Sequence, residues 1–282
     1  MNKELFDFIK NSPTPFHAVK NAGEALEKAG FLPLCESGEW NLEHGKSYYV
    51  TRNGSSVIAF KVPEGDFSGF MMTASHCDSP AFKIKENPEL TDKHYVRLSA
   101  EKYGGMLCST WLDRPLSVAG RVMVKTEKGV SMRLVDIKEP CAVIPNVAIH
   151  MNRKANDDMS YNPAVDMLPL YSDGEGGLRA RLAAAVDVRE EDILSTDIIV
   201  YNPAMPVYCL FDNEEVGSQT KQGAASTFLA DTLDRVREAL GMSFSDYHRA
   251  VANSFLVSCD NAHAVHPNHP EFMDKNHAVY MN

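Results

Sequence analysis

Three short apolar runs of this chain are each followed by a cluster of histidines and carboxylates. The runs cover residues 69–74, 207–211 and 254–257, and the clusters after them are His76-Cys-Asp78, Asp212-Asn-Glu214-Glu215 and Asp260-Asn-Ala-His263. Short apolar runs bounded by polar residues are consistent with buried strands, and open α/β sheets keep their sites at the ends of strands. The chain is therefore predicted to be an α/β protein with metal-type ligands beyond three strands.

The spacing within these clusters indicates metal-assisted hydrolysis. A histidine and an aspartate two residues apart, such as His76 and Asp78, are typical of a metal ligand and the partner that orients it. The adjacent Glu214 and Glu215 can divide into a general base and a second ligand. Each cluster also has a plain structural interpretation, because a His-x-Asp triplet can cap a polar loop and the helix dipole favours acidic residues at a helix start. The third cluster, which begins at Asp260, favours the metal site over coincidence.

The composition is typical of a globular enzyme with a substantial core. The chain has 282 residues, of which 44% are apolar, so it has room for more than one domain. A net charge of −10 and the lack of a Lys/Arg-rich run argue against a nucleic-acid partner. No stretch approaches the roughly 18 consecutive apolar residues of a membrane span, and the polar, amphipathic opening differs from a secretion signal. We therefore expect a cytoplasmic protein without a membrane or nucleic-acid partner.

The six cysteines lack the paired Cys-x-x-Cys spacing of a structural zinc site. They are Cys35, Cys77, Cys108, Cys141, Cys209 and Cys259. Because side chains alternate along an extended segment, Cys77 is expected to point away from the face used by His76 and Asp78. The cysteines are therefore predicted to be reduced core or loop residues, not catalytic thiols.

The predicted elements place an insertion between two parts of one catalytic domain. Helices are predicted at Lys3–Lys10 and at about 17–29, with a breaker at Ser12-Pro13-Thr14-Pro15 between them, and strands at 47–51, 56–62 and 69–75. Later strands are predicted at 118–125, 131–135 and 197–201, around a loop-rich stretch at 146–172. The predicted domains are 1–88 (catalytic, first part), 89–197 (inserted, for dimerisation or regulation) and 198–282 (catalytic, second and incomplete part).

Several longer motifs carry a family resemblance. They are Ala74-Ser-His76-Cys-Asp78-Ser-Pro80, Tyr103-Gly-Gly-Met106, Trp111-Leu-Asp113-Arg114, Ala148-Ile-His150-Met-Asn-Arg153, and the segments 211–218 and 260–268. Through them the chain resembles the M18 family of metalloaminopeptidases, the aspartyl aminopeptidase and aminopeptidase I group. The motifs occur in the family's order, and the resemblance extends from residues 6–31 to the last residue.

The resemblance implies a mixed-sheet zinc-peptidase catalytic domain with an inserted β-rich dimerisation domain. It also implies release of an acidic or neutral amino-terminal residue from peptides by a two-zinc mechanism, and a homo-oligomer. The roles that it implies are metal ligands at His76, Asp260 and Glu215, a general base at Glu214, orientation of His76 by Asp78, and substrate contacts from His263 and from His150 of a neighbouring subunit. Asp113 and Arg114 are expected to form a structural ion pair or turn.

The chain departs from the family pattern at one internal junction. Only Asn202-Pro-Ala-Met-Pro206 separates two predicted strands, although parallel neighbours need a crossover of about a dozen residues. The junction is therefore either a hairpin or the site of a missing segment. The resemblance favours the second, because family members carry there an Arg-Leu-Asp segment whose aspartate bridges two metal ions.

The resemblance also implies a final histidine ligand and a basic substrate-binding residue beyond position 282, so two of five expected ligands are absent. Two functions follow from these departures. The first is a metalloaminopeptidase, and the alternative is an inactive, truncated remnant that acts only through oligomerisation with an intact relative.

Overall fold

The described part of the protein consists of helices packed on three sheets. A computed structural model describes residues 3–157, 159–174, 176–203 and 226–258. The helices are α1 (Lys3–Lys10), α2 (Pro15–Lys28), α3 (Pro163–Asp166), α4 (Leu178–Ala185), α5 (Phe228–Ala239) and α6 (Phe244–Ala252). The strands are β1 (Leu32–Leu34), β2 (Ser47–Arg52), β3 (Ser56–Lys61), β4 (Met71–Ala74), β5 (Ala81–Thr91), β6 (Val96–Tyr103), β7 (Ser117–Thr126), β8 (Gly129–Asp136), β9 (Leu170–Ser172), β10 (Ile193–Tyr201) and β11 (Phe255–Ser258).

Helix α2 begins two residues before its predicted start. Thr14 has an extended backbone and caps the helix, since its hydroxyl accepts a hydrogen bond from the His17 backbone N–H at 3.4 Å. Pro15 occupies the first turn, where its missing N–H costs nothing. The Thr14-Pro15 pair is therefore the start of the helix and not part of a breaker.

A three-stranded sheet follows these helices. Its order is β1-β2-β3, with β1 parallel to β2 and β2 antiparallel to β3. Asn53 and Gly54, in the turn between β2 and β3, both have positive φ, which these two residue types tolerate better than others. Helix α5 covers one face of this sheet, where Trp40, Val50, Phe228 and Val236 form a buried cluster.

A buried arginine connects this sheet to α5, which lies far from it in the sequence. Arg52, at the end of β2, donates to Glu36 Oε1 at 2.6 Å and to Asp231 Oδ2 at 3.0 Å. It also donates to Thr227 Oγ1 at 3.2 Å, and its guanidinium lies 4.6 Å from the centre of the Phe228 ring. The hydrogen bond to Glu36 is the main cause that raises the pKa of Arg52. This cluster fixes the start of α5 onto the amino-terminal part of the protein.

The second sheet is six-stranded and antiparallel throughout. Its order is β8-β7-β10-β5-β6-β9, so β10 lies near the middle between β7 and β5. Helix α4 packs on the core of this sheet, where the largest fully buried side chains include Phe82, Leu98, Leu116 and Ile198. The predicted domain boundaries at 88/89 and 197/198 fall inside β5 and β10, and the division into domains stays a prediction.

The third sheet pairs two strands that are far apart in the chain. β4 and β11 are parallel, with Phe255 opposite Met71 and Ser258 opposite Ala74. Together with the parallel pair β1–β2 and the antiparallel sheet, this pairing confirms the predicted α/β class with mixed sheets. Within the described residues, no helix is both long enough and apolar enough to span a bilayer.

The stability of the fold is expected to fall at acidic pH because of His17. Burial lowers the pKa of His17 from 6.5 to about 4, with Asp136 opposing the shift and Lys20 and Lys138 adding to it. The unfolded chain takes up this proton near pH 6.5, whereas the folded chain stays neutral until about pH 4. Each fall in pH within this interval therefore favours the unfolded state.

Urea denaturation of the wild-type protein at several pH values between 6.5 and 4 should record that loss. His17→Gln should lose less stability across the same interval. The exposed His44, changed to Gln, serves as the matched control and should behave as the wild type does. Equal pH slopes for the wild type and His17→Gln would contradict the assignment.

Candidate metal centre

The parallel pair β4–β11 is held at its start by a contact between the segment before β4 and the end of α6. The Phe70 N–H donates to Ser254 Oγ at 2.8 Å, and the Phe255 N–H donates to Phe70 O at 2.9 Å. The hydroxyl of Ser254 donates in turn to Ala250 O in α6 at 2.7 Å. Both strands therefore run in the same direction, and their carboxyl ends lie at the same edge.

His76 and Asp78 lie just beyond the carboxyl end of β4. His76 Nδ1 is 3.1 Å from Asp78 Oδ1, and the side chains are 12% and 1% exposed. Because a carboxylate oxygen accepts hydrogen bonds, the imidazole donates from Nδ1 in this contact. Nε2 is then the nitrogen that would bind a metal, as in the carboxylate–histidine–zinc arrangement.

Tyr103 also contacts Asp78. It is the last residue of β6, and its hydroxyl donates to Asp78 Oδ2 at 2.5 Å. Tyr103 belongs to one of the family motifs, but the sequence indicates no role for it. The sequence did indicate that Tyr103 needs a hydrogen-bond partner, because the hydroxyl of a tyrosine usually has one when it is buried. Nothing in the sequence identified that partner.

Cys77 points away from the His76–Asp78 contact. Its thiol donates to the backbone carbonyl of Ser55, in the turn between β2 and β3, at 3.6 Å. The side chains of His76 and Asp78 instead contact each other. This orientation agrees with the alternation expected from the sequence.

His150 lies in an exposed turn between Ile144 and α3. The neighbouring Val147, Ile149 and Met151 are also exposed, Met151 to 83%. Large apolar side chains of this kind are more often found at contacts with another protein than scattered together on a free surface. The position is compatible with the predicted reach into a neighbouring subunit, which stays a prediction.

Four predicted site residues lie outside the described residues. They are Glu214, Glu215, Asp260 and His263. Of the three predicted metal ligands, the structure thus describes His76, and within the described ranges no three His, Cys, Asp or Glu side chains converge on one point. The roles predicted for these four residues stay predictions.

Asp113 has a structural position, as the sequence predicts. Its backbone φ is +56°, and its Oδ1 accepts a hydrogen bond from the Asn146 N–H at 2.9 Å. Its own N–H donates to Ile144 O at 2.9 Å. Asp113 therefore fixes a turn against the loop that precedes His150.

A cleft of the described protein lies away from these residues. It has a volume of about 800 Å³ and separates α2 from β8, with Tyr49, Glu27 and Arg133 among its lining residues. Tyr49 donates to Glu27 at 2.6 Å, and this hydrogen bond is the main cause that raises the pKa of Tyr49 to about 12. The residues that line this cleft include none of the predicted site residues. The location of the candidate centre therefore follows from side-chain chemistry, not from cavity size.

Comparison with known proteins identifies the family. The family model for the aminopeptidase I zinc metalloproteases (M18) matches residues 8–202 and 173–282. The chain belongs to the M18 family. A probable M18 family aminopeptidase 2 of Clostridium novyi is 39% identical, over 99% of this chain and 76% of that protein. The corresponding protein of Clostridium acetobutylicum is also 39% identical, over 96% of this chain and 74% of its own length.

Solved structures of M18 aminopeptidases have the same fold. Ape4, from a complex with Nbr1, superposes with a TM-score of 0.92 at 31% identity, over 99% of this chain and 66% of its own. The mApe1 protein of Chaetomium thermophilum superposes with a TM-score of 0.89 at 28% identity, over 98% of this chain and 78% of its own. This M18 chain thus spans about three quarters of the curated relatives and slightly less than two thirds of Ape4.

The relatives contain residues that have no counterpart in this M18 chain. The alignment with the C. novyi protein extends over 328 residues, which is 46 more than the 282 residues of the chain, so at least that many have no counterpart here. The first segment matched by the family model ends at residue 202. The second matched segment begins at residue 173, so the two segments overlap. The missing segment predicted at Asn202-Pro-Ala-Met-Pro206, which lies partly outside the described residues, stays a prediction.

Gly69 is expected to be required for the β4–β11 contact. A Cβ atom at Gly69 would lie 2.7 Å from the backbone oxygen of Asn253, so a side chain would push α6 away from β4. We expect Gly69→Ala to lower the free energy of unfolding by about 1–3 kcal/mol, the usual cost of overpacking.

Gly65→Ala is the matched control, because an added Cβ there meets nothing within 4 Å. Urea denaturation should find Gly65→Ala as stable as the wild type. If the two variants were equally stable, the close approach at Gly69 would not hold the strand pair.

Proposed function

We propose that this chain derives from, and acts as, a zinc-dependent aminopeptidase that releases acidic or neutral amino-terminal residues by a two-metal mechanism. The observation that carries the proposal is the His76–Asp78 pair just beyond β4, whose carboxyl end lies beside that of β11. His76 follows Ala74 by two residues, and Asp260 follows its partner Ser258 by two residues. The equal spacing supports a shared site for these two predicted ligands.

The side chains around His76 fit a zinc ligand. The Nδ1 hydrogen bond to a buried carboxylate sets the tautomer and the ring orientation, and imidazole and carboxylate are both usual ligands of zinc. Asp78 itself accepts from His76 and from Tyr103 through different oxygens, so we assign it an orienting role and not a ligand role.

In the proposed reaction His76 and Asp260 hold one ion and Glu215 holds the other. Bound zinc would polarise the scissile carbonyl and lower the pKa of the attacking water. Glu214 takes the proton from that water and passes it to the leaving amine. His263 contacts the substrate near the developing oxyanion, and His150 of a neighbouring subunit contacts its amino-terminal residue.

We also propose a homo-oligomer formed through the inserted region. The exposed Val147, Ile149 and Met151 around His150 would be covered in such a contact. A cytoplasmic location is proposed as well. Cys35, Cys108 and Cys141 are free thiols, as expected in a reducing compartment.

The missing internal segment predicts weak metal binding. A catalytic zinc usually has three protein ligands, whereas the proposed set provides two for one ion and one for the other. The inactive remnant is therefore the alternative outcome of the test, although the similarity to aminopeptidases supports the enzyme.

Metal content and turnover together test the proposal. Zinc-supplemented protein would be purified, its zinc content measured by mass spectrometry, and hydrolysis of aspartyl-, glutamyl- and leucyl-nitroanilides followed. Two zinc ions per chain with turnover would support the aminopeptidase. Protein that bound no zinc and hydrolysed none of the three substrates would be the remnant, and the ratio of rates among the substrates would define the preference.

Two substitutions should separate metal binding from proton transfer. Glu214→Gln keeps the shape of the side chain but cannot accept the proton, so we expect unchanged zinc content and turnover lower by roughly 100- to 10,000-fold. His76→Ala should instead lower the zinc content.

The exposed His94, changed to Ala, is the control for loss of an imidazole and should alter neither quantity. Full turnover in Glu214→Gln at normal zinc content would show that another residue is the base.

A further inference from the structure

Asp78 receives hydrogen bonds from two different parts of the fold. His76, after β4, donates to Oδ1 at 3.1 Å, and Tyr103, at the end of β6, donates to Oδ2 at 2.5 Å. Tyr103 pairs with Ala81, the first residue of β5, so its backbone belongs to the six-stranded sheet. The carboxylate of Asp78 therefore connects the segment after β4 to a second, larger sheet.

The burial of Asp78 makes this second donor important. Only 1% of the Asp78 side chain is exposed, so water does not replace a donor that is lost. Hydrogen bonds on both oxygens hold the plane of a carboxylate, and Tyr103 provides the one described above on Oδ2. The orientation of that plane decides where Oδ1 lies, and thus how the imidazole of His76 is turned.

We propose that Tyr103 is a positioning residue of the metal centre. Its hydroxyl holds Asp78 so that His76 keeps its proton on Nδ1 and presents Nε2 to the metal. The inference rests on the proposed function, since it requires His76 to be a zinc ligand. The proposal adds a residue of the six-stranded sheet to the site. From the sequence, that site was predicted to consist of residues that follow three other strands.

Tyr103→Phe removes the hydroxyl and keeps the ring. Partners of a metal-ligating histidine typically contribute 10- to 100-fold to metal affinity, so we expect Tyr103→Phe to bind zinc about 10-fold or more weakly. Zinc affinity would be measured by competition with a chromophoric chelator, which needs no turnover.

Tyr201→Phe is the matched control. Tyr201 also belongs to the six-stranded sheet, in β10, and also donates to a carboxylate, Asp136 Oδ1, at 2.6 Å. Both variants lose one Tyr–Asp hydrogen bond, so both lose stability, but Tyr201→Phe should bind zinc as the wild type does. Equal zinc affinities in the two variants would overturn the inference.

A double-variant test asks whether Tyr103 acts through Asp78. In an Asp78→Ala background, Tyr103→Phe should cause no further loss of zinc affinity. An additional loss of the same size as in the wild-type background would overturn the proposed connection.

The tautomer of His76 can be measured in the wild-type protein, without a variant at Tyr103 or Asp78. Nitrogen-15 spectra of labelled wild-type apoprotein, with His76 assigned by the signal lost in His76→Gln, should find the proton on Nδ1. A proton on Nε2 would overturn the inference.

The outcomes for the two proposals differ. If His76→Ala bound zinc as tightly as the wild type, the proposed metal centre would be wrong, and the role of Tyr103 with it. If zinc binding depended on His76 but not on Tyr103, the metal centre would stand and the positioning role would be wrong.

Discussion

The parallel pairing of β4 with β11 is the contact on which the candidate site depends. It joins residues 71–74 to residues 255–258, which are far apart in the chain, and it has the register Ser258 opposite Ala74. A parallel pair cannot be closed by a tight turn, so its register has to be set by other contacts. Here they are the Ser254 hydroxyl between Phe70 and Ala250 and the close approach of Gly69 to Asn253. A slip of one residue would reverse the faces of β11.

A buried carboxylate is the second constraint on this region. Asp78 lies where the chain passes from β4 to β5, and therefore between two sheets that share no backbone ladder. Burying it is unfavourable unless donors surround it. His76 and Tyr103 provide such donors from either side, so the charge that orients the imidazole also holds the two sheets in a fixed relation. Structural and functional requirements coincide at this residue.

The sequence predicted local features of this site well and tertiary ones poorly. The strand before His76 was expected at 69–75 and lies at Met71–Ala74, and the turn at Asp113 was also expected. Both follow from hydrophobic runs and turn residues, which act over a few positions. The Tyr103–Asp78 hydrogen bond joins residues 25 apart in sequence and could not be predicted, because alternation along β6 indicates a face and not the partner on it.

The predictions of helices were wrong for a different reason. The pair Thr14-Pro15 is compatible with two structures, because proline can end a preceding helix or occupy the first turn of the next one. Helix α4 was not predicted at all. Its first N–H groups, those of Gly177 and Leu178, donate to Glu89 Oε1 at 2.8 and 2.7 Å. A cap from a residue 88 positions earlier leaves no signature in the local sequence.

The contacts that hold α5 on the amino-terminal sheet come from residues outside the junction where a segment is predicted to be missing. Arg52 is buried, and its bonds to Glu36, Thr227 and Asp231 fix the chain after the junction to the amino-terminal sheet. Truncating Arg52 would leave Glu36 and Asp231 without the cation that they share. None of these four residues lies at Asn202-Pro-Ala-Met-Pro206, so a segment missing there would remove no member of this cluster. The proposed metal centre differs, because its affinity would depend on the number of ligands and not on the sheets alone. A chain of this family could therefore keep its sheets and its His76–Asp78–Tyr103 contacts and still bind metal weakly. For this reason fold and activity have to be measured separately in this protein.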